Sequence, residues 1–248
     1  SHDPHQPEIE PAKEAAMNME KTIQDQLDSS NAGNGLRQSL FEMAMLGTGI
    51  LKGPFTKSKT VHNWRRDDDS KIVYEPYERL APGINSTSIW NFYPDPSAKT
   101  LEDCNWTVER HTMNRTQVRA LAKLPFFNLD AIEDVLSHGH SYTPEWFEYQ
   151  LRDNKSAQEE LNQRFNVFEF WGVVDRVMAE EAGLQLDDTN TSTRITDMSQ
   201  VPVNVWICEH QVLRIVANPF TPSRIPYQVC PYEINPYQIW GIAVADNM

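Results

Sequence analysis

The side chains best suited to proton or metal chemistry in this 248-residue chain are few and scattered. Thr107, Glu109 and His111 alternate along the run Trp106 to His111, which places them on one strand face, with Trp106, Val108 and Arg110 on the other. A carboxylate beside an imidazole can relay a proton, but no nucleophile adjoins them, and a solvated cross-strand pairing is the expected use. Asp67, Asp68 and Asp69 follow Arg65 and Arg66 at an expected hairpin tip. They could ligate a hard cation only if their carboxylates converged, whereas adjacent turn positions splay outward. His138 and His140 flank Gly139 with no partner motif, and His138 is expected at the negative end of a helix dipole. Glu209 and His210 read as turn residues, not as an acid and base pair. Gly47-Thr48-Gly49 lacks the GxxxxGK pattern of a phosphate loop and follows a helix, so a helix end with close packing is expected. GxSxG, HExxH and DFG do not occur. No catalytic group, cofactor or metal is expected, and the residues favour a structural or interaction protein.

With 40% hydrophobic and 23% charged residues, the composition is globular, and the length allows one large or two smaller cores. Sixteen prolines, seven tryptophans and eight tyrosines predict short elements, firm turns and rigid contact surfaces. The net charge of −13 argues against a general nucleic-acid binder, which needs a basic stripe, but not against a protein past which a polyanion slides. Cys104, Cys208 and Cys230 are odd in number and widely spaced without CxxC. That predicts neither a disulfide framework nor a zinc site, and a reducing compartment is the plain reading. The sequence contains no apolar run of membrane-spanning length and no signal peptide. Ser1-His2 reads as a tag remnant and residues 1–9 as disordered. The end, GIAVADNM, stops inside an expected helix, so the chain is read as a fragment.

The elements that position these residues centre on Ile89 to Arg115. Ile89-Trp90 and Phe92-Tyr93 form strand, and Pro94 and Pro96 must end the ladder, with Asp95 bonding nearby backbone in the turn. Asn114 can cap the following helix, with Gln117 at the reciprocal position. Before this block, an amphipathic helix runs from Pro11 with Ala12, Ala16, Met19, Ile23 and Leu27 on one stripe. SSNAGNG at 29 to 35 breaks it, and a second helix carries Leu36, Leu40, Met43 and Ala44. Gly53-Pro54 ends the run Ile50 to Lys52. Phe55 to Trp64 and Ile72 to Tyr77 are strands, and Pro82-Gly83 is a turn interrupting a further strand. After the block, Val118, Leu121, Ala122 and Phe126 face inward, and Asn128 caps a helix with Ala131, Ile132, Val135 and Leu136 inward. Thr143-Pro144 starts another helix. Phe165 to Val174 is a strand apolar on both faces, expected to be covered on both sides. A short helix and a mobile loop fill 175 to 200, and Val203 to Ile207 pairs with Gln211 to Ala217. Trp171 and Trp206 are expected in the core. Ile225 to Tyr232 leads to Ile239, Trp240, Ile242 and Ala243, which open a helix, with Trp240 and Ile242 left exposed.

Several segments in order resemble the portal proteins of short-tailed bacteriophages. They are LGTGILKG at 46 to 53, INSTSIWNFYPDPSAKTLEDCNWTVERHTMNRTQV at 84 to 118, FNVFEFWG at 165 to 172, VNVWICEHQVLRIVANPF at 203 to 220, and PYEINPYQIWGIAVADNM at 231 to 248. The resemblance implies an α+β chain with a wing at 10–112, a helical stem region at 113–163, a clip at 164–235 and the start of a returning stem helix at 236–248. It also implies that the full-length protein forms a ring, typically of twelve copies, at one capsid vertex, assembled in the host cytoplasm and carried in the virion. Double-stranded DNA would pass through without sequence recognition, driven by the terminase large subunit. Tail or head-completion proteins, capsid and scaffolding proteins would be further partners, and no membrane is involved. Interface candidates are Lys57, Lys59, Arg65 and Arg66 on one hairpin and Glu209 and His210 on another, with the loop 185 to 200. The alternatives are another virion assembly protein, or a metal-dependent hydrolase using Asp67 to Asp69 with the histidines.

Overall fold

The computed structural model describes residues 9–30, 32–66, 71–139, 164–184 and 199–247. Asp67 to Asp69, His140, the helix expected from Thr143-Pro144 and the loop at 185–198 lie outside the described residues, as do residues 1–8. The fold is α+β, built from helices and antiparallel sheets. Its contacts divide the chain into two units, residues 1–89 with 226–248, and residues 90–225.

The first unit opens with α1 (Ile9–Ser30) and α2 (Ala32–Leu46). Most of the expected break at SSNAGNG is helical, because α2 begins at Ala32. Tertiary packing overrides the weak propensity of Gly33 and Gly35 there. A Cβ at Gly35 would stand 3.6 Å from the Ile84 carbonyl oxygen, an ordinary van der Waals contact, so the helix lies close against strand backbone there. β1 (Thr48–Val61) is one long strand that does not end at Gly53-Pro54. It absorbs that pair as an irregularity between Lys52 and Phe55. Gly53 has φ 145°, which few side chains adopt, and its N–H donates to Pro226 O at 2.9 Å. β1 pairs on one side with β4 (Tyr77–Thr87) and on the other with β10 (Tyr227–Pro231). Beyond β1, β2 (Trp64–Arg66) and β3 (Ile72–Tyr74) form a small ribbon. The turn expected at Pro82-Gly83 is instead strand, paired with Thr56 and Phe55. Edge position explains the tolerance, since among the described residues β4 has no second neighbour to demand the missing Pro82 N–H.

The end of this unit corrects a second expectation. Residues 236–247 form turns, a bridge between Glu233 and Ile242 and a short 3-10 turn, Val244–Asn247, with no α-helix. Gly241 donates its N–H to Thr48 Oγ1 at 2.8 Å, and a Cβ on Gly241 would come within 2.3 Å of Gly47 O. Tyr232 N–H donates to the same Gly47 carbonyl at 2.8 Å. The close packing expected at the GTG stretch is therefore present, and it holds this tail flat. Ile239 and Ala243 are buried, and Trp240 and Ile242 are half-buried where exposure was expected.

The second unit is a five-stranded antiparallel meander, β5 (Phe92–Pro94), β6 (Trp106–Asn114), β7 (Arg164–Asp175), β8 (Gln200–Cys208) and β9 (Gln211–Ala217) in that order. Ile89–Asn91 is a 3-10 turn where strand was expected, and β5 ends at Pro94 as proline demands. The Asn114–Gln117 capping box opens α3 (Arg115–Leu121), and Asn128 caps α4 (Leu129–His138) through the N–H groups of Asp130 and Ala131. Val118, Leu121, Ile132, Val135 and Leu136 pack with Phe165, Val167, Cys208 and Leu213 into one core. Phe126 points out at φ 67°, and Phe127 takes the inward place. A second core joins Ala179 of α5 (Arg176–Glu181) to Leu184, Val201, Val203 and Val205. β7 is buried on the face of Phe165, Val167, Glu169 and Trp171 and only half-buried on the face of Asn166, Phe168 and Phe170, so the cover expected on both sides is partial.

Candidate functional site

Register in the meander brings Glu109 of β6 directly opposite Glu169 of β7, and Glu169 opposite Trp206 of β8. The solvated pairing expected for Glu109 and His111 does not occur: Glu109 is 7% exposed and Glu169 3%. Side chains of the neighbouring strands, whose register the sequence does not reveal, pack beside them. Facing carboxylates repel unless a positive group lies between them. His111 Nε2 stands 2.9 Å from Glu169 Oε2 and 3.5 Å from Glu109 Oε2. The imidazole stacks on Trp206 with ring centroids 5.0 Å apart and planes 1° from parallel. Glu169 Oε1 accepts from Trp171 Nε1 at 2.8 Å and Asn204 Nδ2 at 3.2 Å, while Asn204 Oδ1 accepts from Trp206 Nε1 at 3.1 Å. Arg214 of β9 adds a positive charge in reach of Glu169, and burial pulls its pKa down. Thr107, next along the same face, has a fully buried hydroxyl with no hydrogen-bond partner. This cluster can share a proton or hold a cation. It holds no nucleophile among the described residues, since Cys208 lies in the core with its pKa pushed up to about 12 by burial and by Glu209.

The expected contact residues fall on two separate tips. Lys57 and Lys59 lie on β1 opposite Ala81 and Arg79, and Arg65 and Arg66 lie on β2 opposite Val73 and Ile72, all four exposed. Their ribbon is stiffened by rings, with Tyr74 stacked on His62, hydrogen-bonded to it, and 4.9 Å from Trp64. Glu209 and His210 form the two-residue turn closed by Cys208 and Gln211, as expected. Glu209 sits at φ 55°, a conformation that costs a residue with a Cβ. Beside this turn His138 Nδ1 donates to Asp134 O at 2.8 Å. That carbonyl, the Asp134 carboxylate and Glu209 raise the histidine's pKa, in keeping with its expected place at a helix C-terminus.

A feature the sequence reading did not weigh is how little covers the apolar stripes of the first unit. Met19, Ile23 and Leu27 of α1 are exposed, and so are Leu36, Leu40 and Met45 of α2. Phe41 is 67% exposed, Trp64 67% and Leu80 72%. Between α1 and the β1–β4 hairpin runs a cleft lined by Asp25, Lys59, Arg79 and Leu80. A helix period shows which residues share a stripe but not what the stripe rests on. No α-helix of the described residues is long and apolar enough to cross a membrane. Comparison with protein-family models and with curated proteins found no match.

Proposed function

We propose that this chain is a structural subunit of a phage portal ring, one wedge of the channel for genome packaging and ejection, with no catalytic role. The observation that carries the reading is the exposed apolar surface of the first unit, on α1, α2 and the β2–β3 ribbon. Exposed apolar residues clustered on one element mark a protein interface when they form one patch. A second copy of the chain is the natural occupant, because ring symmetry requires each subunit to offer two different faces to its neighbours. The resemblance of five ordered segments supplies the identity of the ring. The net charge of −13 per copy suits a bore that must not grip phosphates.

On this reading the tips at Lys57, Lys59, Arg65 and Arg66 and at Glu209 and His210 meet neighbours, terminase or tail proteins, at the portal vertex of the virion. Light scattering over a range of concentrations tests the self-association. The chain should form assemblies of several copies that the double substitution Leu40→Asp, Phe41→Asp disperses. A monomer at every concentration, or assemblies indifferent to that substitution, contradicts the reading.

A further inference from the structure

We propose that Glu109, His111 and Glu169 form a binding site for a divalent transition-metal ion, zinc or manganese, on the β6–β7 face of the second unit. The donor atoms of the three residues all lie within 4.8 Å of one another. The separations of 2.9 Å and 3.5 Å between His111 Nε2 and the two glutamate oxygens match the edges that a coordination polyhedron would have. With metal–ligand bonds of about 2.1 Å, cis ligands stand about 3.0 Å apart in an octahedron and about 3.4 Å apart in a tetrahedron. Two carboxylates with one imidazole suit zinc and manganese better than an all-oxygen site would.

The surroundings are those of a built site. Trp171 Nε1 and Asn204 Nδ2 hold the far oxygen of Glu169, which leaves Oε2 directed at His111. Stacking on Trp206 fixes the imidazole plane. Such outer contacts orient ligands in metal centres. An independent observation is Thr107, whose hydroxyl is wholly buried without a partner one pleat along the same face. A hydroxyl in that position gains a partner if a metal-bound water occupies the face. His111 keeps 23% of its side chain exposed, which gives an ion and its waters a way in.

The test uses the whole chain, stripped with chelator and dialysed against zinc or manganese, each in parallel with calcium and magnesium. One zinc or manganese per chain is expected, with calcium and magnesium weaker. In the unsubstituted chain, electron spin-echo spectra of bound manganese should show one coupled imidazole nitrogen. His111→Gln and Glu169→Gln, each checked for fold by circular dichroism, should weaken binding at least about tenfold. Substituting Asp67, Asp68 and Asp69 together by Asn should leave it unchanged. Substoichiometric binding, absence of the nitrogen coupling, equal affinity for calcium, or loss of binding in the triple Asn variant overturns the proposal.

Discussion

Single residues carry the sharpest tests because their environments are so specific. Glu209 holds a backbone conformation suited to glycine, at φ 55° in a two-residue turn. Glu209→Gly should therefore raise stability by about 0.5–1 kcal/mol, read as a higher Tm, despite the entropy that glycine adds to the unfolded chain. His138 has a raised pKa from the Asp134 carbonyl, the Asp134 carboxylate and Glu209. Its imidazolium form favours the fold, so the contribution is complete below about pH 6.5, the unfolded value, and is lost as pH rises through the folded one. Urea unfolding of His138→Gln should show a flatter fall in stability over that window than the unsubstituted chain. Asp95 behaves in the opposite sense. Ser97 Oγ donates to its carboxylate at 2.6 Å, and this bond with the Ser97 N–H holds its pKa below the ordinary range. Its stabilisation is present above about pH 4 and lost as the pH falls through the lowered value.

At the scale of elements, the parts legible in the sequence were those with local signals. Asn114 with Gln117, and Asn128, announced helix starts through side chains that bond the adjacent backbone, and Pro94 announced a strand end. Asn114→Ala should cost about 1 kcal/mol of unfolding free energy, measured in urea. The misread elements depend on distant partners. Gly35 looks like part of a break until β4 lies beside it, and Pro82-Gly83 looks like a turn until β4 proves to be an edge among the described residues. Gly241 looks like part of a helix until Gly47 faces it. Gly241→Ala should lower the Tm and expose tail tryptophan fluorescence, because the added Cβ would meet Gly47 O at 2.3 Å. Among the polar groups, Glu109, His111 and Glu169 each lie on the strand face that alternation predicts. Their meeting depended on the β6–β7 register, which is set by residues 50 or more positions apart.

For the whole molecule, the length allows one large or two smaller cores and the resemblance implies an α+β chain; the structure is α+β and divides into two units, returning residues 226–248 to the first through β10. That long-range pairing has no local signature, since Tyr227 to Pro231 reads only as a strand. The exposed stripes of α1 and α2 are equally silent in sequence, where an amphipathic helix looks alike whether its partner is its own sheet or another chain. The central claim is that another copy covers those stripes and that the contact repeats around an axis. Particle imaging by electron microscopy of the concentrated chain measures this most directly. Closed annuli are the predicted result, since an interface of two different faces closes into a ring when the rotation allows. Fields of separate monomers at high concentration, or two-fold dimers with the stripes of α1 and α2 still open to solvent, would contradict it.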